Sequence, residues 1–141
     1  MTEIMVFVQH HPLLLGGLVA IIAMIIWTEF QRLTAGFENL SPQEVVSVIN
    51  HDSPLLLDVR EAKEVAGGTI AGAKHIPVGQ LSQRINELAG HKNDKIVAFC
   101  RSGNRSGNAC RVLKRAGYED VVNMAGGMLA WESANLPVSK K

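Results

Sequence analysis

Cysteine is scarce in this sequence, and its thiols fall into no metal-binding or disulfide pattern. The 141 residues include only two cysteines, Cys100 and Cys110. Because no C-x-x-C pair is present and two thiols ten positions apart cannot build a zinc framework, we expect no metal site. A chain of this length has room for a hydrophobic core and does not need a disulfide scaffold. We therefore expect a reducing environment with at least one free thiol.

An excess of positive charge is also missing. The formal net charge is +1, and the lysines and arginines form no basic stripe. Nucleic-acid-binding domains show such a stripe or a domain-wide excess, so we expect no nucleic-acid partner. The length allows one ordinary globular domain and not two.

Charge is absent altogether from one N-terminal stretch. Residues 13–27 carry no charged or strongly polar side chain. A helix over residues 11–30 would be about 30 Å long, which matches the hydrocarbon core of a bilayer. Trp27 and Phe30 would lie at the membrane interface. We therefore predict a membrane anchor at residues 1–30, with the transmembrane helix at about 11–30.

Two other interpretations of this stretch are a cleaved signal peptide and a buried core helix. A signal peptide is disfavoured because residues 1–12 contain no Lys or Arg and no small-x-small site follows. An entirely apolar helix is rarely a core helix at the terminus of a small domain. The positive charges, beginning with Arg32, follow the helix and place the remainder in the cytoplasm. We predict a linker at residues 31–38 and one domain at 39–141.

The rest of the sequence alternates strand and helix signals. Leu55–Val59 and Lys95–Phe99 are apolar runs typical of strands buried on both faces of a parallel sheet. Helices are predicted from Ser41 to about Ile49, over Arg60–Ala66, Val78–Ala89 and Ser106–Ala116, and around Leu129–Trp131, with shorter strands at Lys74–Ile76 and Val121–Asn123. This alternation predicts an α/β fold with an open, largely parallel sheet. Ligands bind such sheets beyond the carboxyl ends of the strands, where Asp58 and Cys100 lie.

Cys100 follows a buried strand and opens a short polar loop before a helix. Gly103 permits a tight turn, and a loop of this kind directs successive N–H groups inward at an anion. The helix N-terminus, Arg101 and Arg105 favour a thiolate, so we expect a lowered pKa and a nucleophile at neutral pH. The predicted anion-binding residues around the reactive Cys100 are Arg101, Ser102, Gly103, Asn104, Arg105 and Ser106. Cys110, in the middle of a helix, is interpreted as an ordinary core residue.

These residues belong to a set of motifs that resembles the single-domain rhodaneses. The motifs are Leu57-Asp58-Val59-Arg60-Glu61, Gly68 to Pro77, Cys100 to Ser106, and Gly126-Gly127-Met128-Leu129-Ala130-Trp131. The resemblance implies a five-stranded parallel sheet flanked by helices. It also implies a sulfurtransferase that needs no cofactor. Cys100 would accept sulfane sulfur from a small donor such as thiosulfate, hold it as a persulfide, and pass it to cyanide or a thiol.

The resemblance has further implications for the site and the location. Asp58 and Arg60 would form a structural pair that braces the neighbouring loop. Thr69 stands where the family usually has His; because this position lies in a connecting loop, we expect no consequence for catalysis. A transmembrane helix before one rhodanese domain is a bacterial arrangement, which implies a single-pass protein of the inner (cytoplasmic) membrane.

Two alternatives to sulfur transfer are considered. Cysteine phosphatases of the same architecture use C-x5-R, whereas Cys100 and Arg105 form C-x4-R, a smaller loop suited to one sulfur atom. The other alternative is a non-enzymatic, membrane-tethered module that binds another membrane protein. The intact Cys100 loop disfavours this role, because rhodanese domains used only for binding often lack the cysteine. The two roles are compatible, since an anchored enzyme can also have a membrane-protein partner.

Overall fold

The N-terminal part of the chain consists of two apolar helices. The computed structural model describes residues 1–140, so that Lys141, the last residue of the predicted domain, lies outside the described residues. The chain divides into two units, Met1–Ala35 and Gly36–Lys141. The first unit contains α1 (Thr2–His10) and α2 (Pro12–Thr34).

Helix α2 is long and apolar enough to cross a membrane. It has 23 residues, its most apolar window has a mean hydropathy of 2.2, and none of that window is buried. A signal sequence near an N-terminus would have the same properties. The helix runs to Thr34, four residues into the segment predicted as a linker. The reason is that Gln31, Arg32 and Leu33 are good helix formers, and the first glycine after them is Gly36, at a φ of +72°.

The second unit is built around a five-stranded sheet. Its strands are β1 (Glu38–Leu40), β2 (Leu55–Asp58), β3 (Lys74–His75), β4 (Ile96–Phe99) and β5 (Val121–Met124). Its helices are α3 (Pro42–Asp52), α4 (Ala62–Val65), α5 (Leu81–Arg84), α6 (Asn104–Arg115) and α7 (Gly127–Ser133). The strand order is β1-β5-β4-β2-β3, and each neighbouring pair is parallel. The predicted α/β fold with a five-stranded parallel sheet is confirmed.

Apolar side chains cover both faces of the sheet. Successive residues of a strand point to opposite sides, so a strand made of consecutive apolar residues contributes to the core on each face. On one face, Ile96 and Ala98 of β4 pack with Leu113 of α6. On the other face, Val97 and Phe99 pack with helices α3 and α7. Every residue of β4 is buried. The strand that leads to Cys100 is therefore the centre of the core and holds the following residue rigidly.

Several elements differ from their predicted form. Strand β1 was not predicted; it is a three-residue edge strand, largely exposed, and has no apolar run to reveal it. The helix predicted over Val78–Ala89 is one α-helical turn, α5, between 3-10 segments at Val78–Gln80 and Ile85–His91. The prediction of a continuous α-helix was wrong there. Pro77 and Gly79 at its start and Gly90 near its end disfavour α-helical bonding.

Candidate active site

The carboxyl ends of β2 and β4 place two polar residues at one edge of the sheet. Asp58 is paired in register with Phe99. The N–H of Val59 donates to the carbonyl of Phe99 at 3.1 Å, which continues the pairing past the strand ends. Asp58 and Cys100 therefore both lie at the end of the sheet where parallel folds bind ligands.

The loop after Cys100 curls around its sulfur. The N–H of Gly103 donates to Sγ at 3.1 Å, and the N–H and hydroxyl of Ser106 both lie 3.4 Å from it. Gly103 has a φ of +100°, which lets the chain turn sharply before α6 begins at Asn104. This early turn is why α6 starts two residues before the predicted Ser106. The geometry is that of an anion cradle centred on the sulfur.

The pKa of the Cys100 thiol is lowered from its ordinary value by this loop. Burial of the sulfur is the largest influence and raises the pKa. The hydrogen bonds from the Ser106 hydroxyl and from the N–H groups of Ser106, Gly103 and Ser102 together outweigh it. Hydrogen bonds to the charged form favour that form, so the loop increases the fraction of Cys100 that is present as thiolate.

The two arginines of the loop were predicted to favour the thiolate, and the charge of the Cys100 thiolate is among the causes that raise the pKa of Arg105, after its contacts with Glu64. Arg105 forms a two-pronged ion pair with Glu64 of α4, at 2.7 and 2.8 Å. Arg101 is exposed. Within residues 1–140, neither guanidinium is among the groups that donate to the Cys100 sulfur. The donors are mainly backbone N–H groups, because a loop this tight brings its own amides closer than its long side chains.

The pairing expected between Asp58 and Arg60 is present and is extended by a third residue. Arg60 donates to both carboxylate oxygens of Asp58, the shortest contact being 2.7 Å. The hydroxyl of Thr69 donates to the same carboxylate at 2.7 Å. Arg60 also donates to the carbonyls of Gly68 and Glu64. Since Glu64 in turn binds Arg105, a continuous set of contacts runs from this buried pair to the loop.

Helix α7 fixes the first two peptide groups of the loop from outside. The N–H of Met128 donates to the carbonyl of Cys100 at 2.8 Å, and the N–H of Leu129 donates to that of Arg101 at 3.1 Å. A trans peptide places its carbonyl and its N–H on opposite sides. With both carbonyls held by α7, the N–H groups of Arg101 and Ser102 face the other way. The N–H of Ser102 is accordingly among the donors that lower the pKa of Cys100.

Two contributors to the site were not foreseen from the sequence. Asn123 of β5 is buried and accepts from the Ser106 hydroxyl at 2.6 Å. Glu64 was not singled out because its partner Arg105 is distant in sequence. The signal that could have found Asn123 is a polar residue inside the apolar run of a buried strand.

The second cysteine has the opposite character. Cys110 is fully buried among apolar residues of α6 and its neighbours. Burial raises the pKa of its thiol to about 12. It is a packed core residue, as interpreted from the sequence.

Among the residues described, no three His, Cys, Asp or Glu side chains gather where they could hold a metal ion.

Comparisons with known proteins agree with this geometry. The family model for the rhodanese-like domain matches residues 41–134. YibN of Escherichia coli is 27% identical over 139 residues, covering 98% of this chain and 97% of YibN. A sulfurtransferase of Allochromatium vinosum is 39% identical over 84 residues, covering 60% of this chain and 77% of that protein. Other curated relatives are longer, and the matched region spans 55% and 44% of two of them.

Solved structures show the same fold. A rhodanese-related protein from Thermoplasma volcanium superposes with a TM-score of 0.68 at 28% identity, covering 74% of this chain and all of that protein. The family match spans about two thirds of the chain and includes the whole Cys100 loop. The chain therefore belongs to the rhodanese-like family, whose named members include sulfurtransferases.

Proposed function

We propose that this protein is a membrane-anchored sulfurtransferase in which Cys100 carries sulfane sulfur as a persulfide. Its donors are small molecules of the thiosulfate type, and its acceptors are cyanide or thiols. No metal or cofactor takes part in the proposed reaction. The observation that carries the proposal is the Cys100 sulfur, which is buried and surrounded by the donors of a six-residue loop.

The reaction consists of two displacements at sulfur. In the first, the Cys100 thiolate bonds to the outer sulfur of thiosulfate, the S–S bond of thiosulfate breaks, and sulfite leaves with the electron pair. In the second, the acceptor thiolate or cyanide bonds to the outer sulfur, and the Cys100 thiolate leaves. Both steps need an anionic sulfur at Cys100, which the N–H groups of the loop stabilise.

The ion pair of Arg105 supports sulfur rather than phosphate as the transferred group. Arg105 occupies both ends of its guanidinium with the carboxylate of Glu64. A phosphatase needs a free guanidinium to clamp a tetrahedral phosphate, whereas one sulfur atom needs only the N–H groups. The commitment of Arg105 to Glu64 therefore supports the argument from the C-x4-R spacing.

Mass spectrometry of the intact full-length protein in detergent micelles tests the proposal. After exposure to thiosulfate, we expect a mass gain of one sulfur atom, about 32 Da, that cyanide removes. Cys100→Ser should abolish the gain, and the matched control Cys110→Ser should retain it because the Cys110 thiol is not ionised near neutral pH. A gain that persists in Cys100→Ser would contradict the proposal, as would phosphatase turnover without persulfide formation.

The proposed location is the inner membrane, with α2 as a single transmembrane anchor and the rhodanese-like domain in the cytoplasm. The support is the length and hydropathy of α2 and the positive charges that follow it. A tag at the N-terminus distinguishes an anchor from a cleaved signal. An anchored protein keeps the tag and resists alkaline extraction from membranes, and proteolysis of intact spheroplasts leaves the domain uncut. Loss of the tag from the mature protein, or digestion of the domain in spheroplasts, would contradict the proposal.

A further inference from the structure

The hydroxyl of Ser106 has one proton but two acceptors within reach. One acceptor is the Cys100 sulfur at 3.4 Å, and the other is Oδ1 of Asn123 at 2.6 Å. A hydroxyl donates one hydrogen bond at a time, so the two acceptors compete for it. The shorter distance favours Asn123.

The amide of Asn123 cannot turn to relieve this competition. Its Nδ2 donates to the carbonyl of Gly103 at 3.2 Å and to Oδ1 of Asn39 at 2.9 Å. Since a backbone carbonyl only accepts, the NH2 group of Asn123 must face Gly103. Its Oδ1 then faces Ser106 and must accept from the hydroxyl. The Asn123 side chain is buried, so no bulk water is available to donate to its Oδ1 in place of the Ser106 hydroxyl.

We infer that Asn123 is a positioning residue that holds the Ser106 hydroxyl proton away from the Cys100 sulfur while that sulfur is neutral. When Cys100 becomes an anion, the hydroxyl can turn toward it. That turn gains a hydrogen bond to a charged group but leaves the buried Asn123 oxygen without a donor. Asn123 therefore opposes thiolate formation, and Ser106 contributes less to it than its proximity to the sulfur alone would predict.

The inference gives Ser106 a role in the second displacement of the proposed reaction, and in this respect it rests on the proposed function. In the persulfide, the negative charge lies on the outer sulfur, the Cys100 sulfur is uncharged, and the Ser106 hydroxyl keeps its hydrogen bond to Asn123. As the acceptor bonds to the outer sulfur and the S–S bond breaks, the electron pair of that bond returns to Cys100, and the Ser106 hydroxyl turns to donate to the Cys100 sulfur. Asn123 thus makes the Ser106 donor available mainly to the leaving thiolate.

The pH dependence of Cys100 alkylation by iodoacetamide tests this inference in the full-length protein. The midpoint of the curve of alkylation rate against pH reports the pKa of Cys100. In Asn123→Ala, the Ser106 hydroxyl is free to donate to the sulfur, and we expect this midpoint to fall by about 0.5–1 pH unit. In Ser106→Ala, we expect a rise of less than about 1 unit, because the wild-type hydroxyl is only partly available. In the double variant, the midpoint should equal that of Ser106→Ala.

The direction in which the alkylation midpoint shifts distinguishes the inferred role of Asn123 from a merely structural role. General loosening of the loop would weaken its N–H donors and raise the midpoint, so an unchanged or raised midpoint in folded Asn123→Ala would overturn the inference. An equal fall in the Ser106→Ala background would also overturn it. If Asn123→Ala does not fold, Asn123→Leu keeps the branched shape of the side chain and has the same expected result. Ser106→Ala alone also decides, since a rise well above 1 unit would show full donation by the hydroxyl.

Failure of this inference is distinguishable from failure of the proposed function. Alkylation requires no sulfur donor or acceptor, so the midpoints can be measured even if no persulfide forms. Conversely, persulfide formation with an unchanged midpoint in Asn123→Ala would leave the proposed function intact and overturn the role of Asn123.

Discussion

Gly127, the first residue of α7, should tolerate a side chain less than any other glycine of the site. It has a φ of +55°, and a Cβ at this position would lie 2.6 Å from the carbonyl carbon and oxygen of Arg101 and would also overlap the Cys100 carbonyl. Gly127→Ala must therefore push α7 away from the loop that it fixes. The perturbation lengthens the hydrogen bonds to both of those carbonyls without removing any side chain that faces the sulfur.

The expected loss of unfolding free energy can be divided into two parts by comparison with a control glycine that also has a positive φ but has open space around it. Gly72 has a φ of +81°, and a Cβ there would meet nothing within 4 Å. Gly72→Ala should cost about 1–2 kcal/mol of unfolding free energy through backbone strain alone. Gly127→Ala should cost that plus about 1–3 kcal/mol for two weakened hydrogen bonds.

The assays are urea unfolding of the full-length protein in detergent micelles and the initial rate of persulfide formation. Gly72→Ala should keep the wild-type rate. Gly127→Ala should slow the reaction by about 10²-fold, because a shift of about 1 Å in the loop misplaces the N–H groups that face the sulfur. Equal unfolding free energies for the two variants, or a wild-type rate in Gly127→Ala, would refute the reasoning.

Two more predictions concern the contacts that connect α4 and the buried pair to the loop. The hydrogen bonds from Arg105 lower the pKa of Glu64 to about 2. The ion pair should therefore stabilise the fold fully above the ordinary carboxyl pKa of about 4.3 and lose its effect as the pH falls from there toward 2. Glu64→Gln should cost about 1 kcal/mol at neutral pH and less near pH 3 by urea unfolding; an equal cost at both pH values would contradict this. Thr69→Val removes one of the donors to Asp58 and should cost about 2 kcal/mol of unfolding free energy, with a persulfide rate within about twofold of wild type. A large loss of rate in this variant would show that Thr69 affects the chemistry directly.

The parts of the fold that could be predicted are those where burial leaves a continuous apolar signal. Strands β2 and β4 are apolar runs because both faces of each are covered, and their positions followed directly from the sequence. The start of α3 followed from its capping box, which the structure contains: the N–H of Glu44 donates to the Ser41 hydroxyl, and the Glu44 carboxylate accepts from the N–H of Ser41. Local chemistry of this kind is readable without knowing the tertiary structure.

The parts that could not be predicted depend on contacts between distant segments. Arg105 was predicted to favour the thiolate, and nothing near it in sequence indicates that it also pairs with Glu64 of α4. Asn123 acquires its role only because β5 lies beside β4 in the sheet. Strand β1 is stabilised by pairing with β5, and its own residues carry no strand pattern. These features follow from topology rather than from local sequence.

The attachment of the Cys100 loop to α7 separates the backbone that surrounds the sulfur from the exposed side chains of the same loop. The cradle is organised during folding, and its orientation does not depend on the side chains of Arg101, Ser102 and Asn104, all of which are exposed. In the proposed sulfurtransferase, a donor or an acceptor would meet these three exposed side chains before it reached the buried sulfur. Substitution at these positions would therefore change which partners are accepted while the bond-making centre stays the same. A sulfur carrier of this design can acquire new partners without rebuilding its nucleophile.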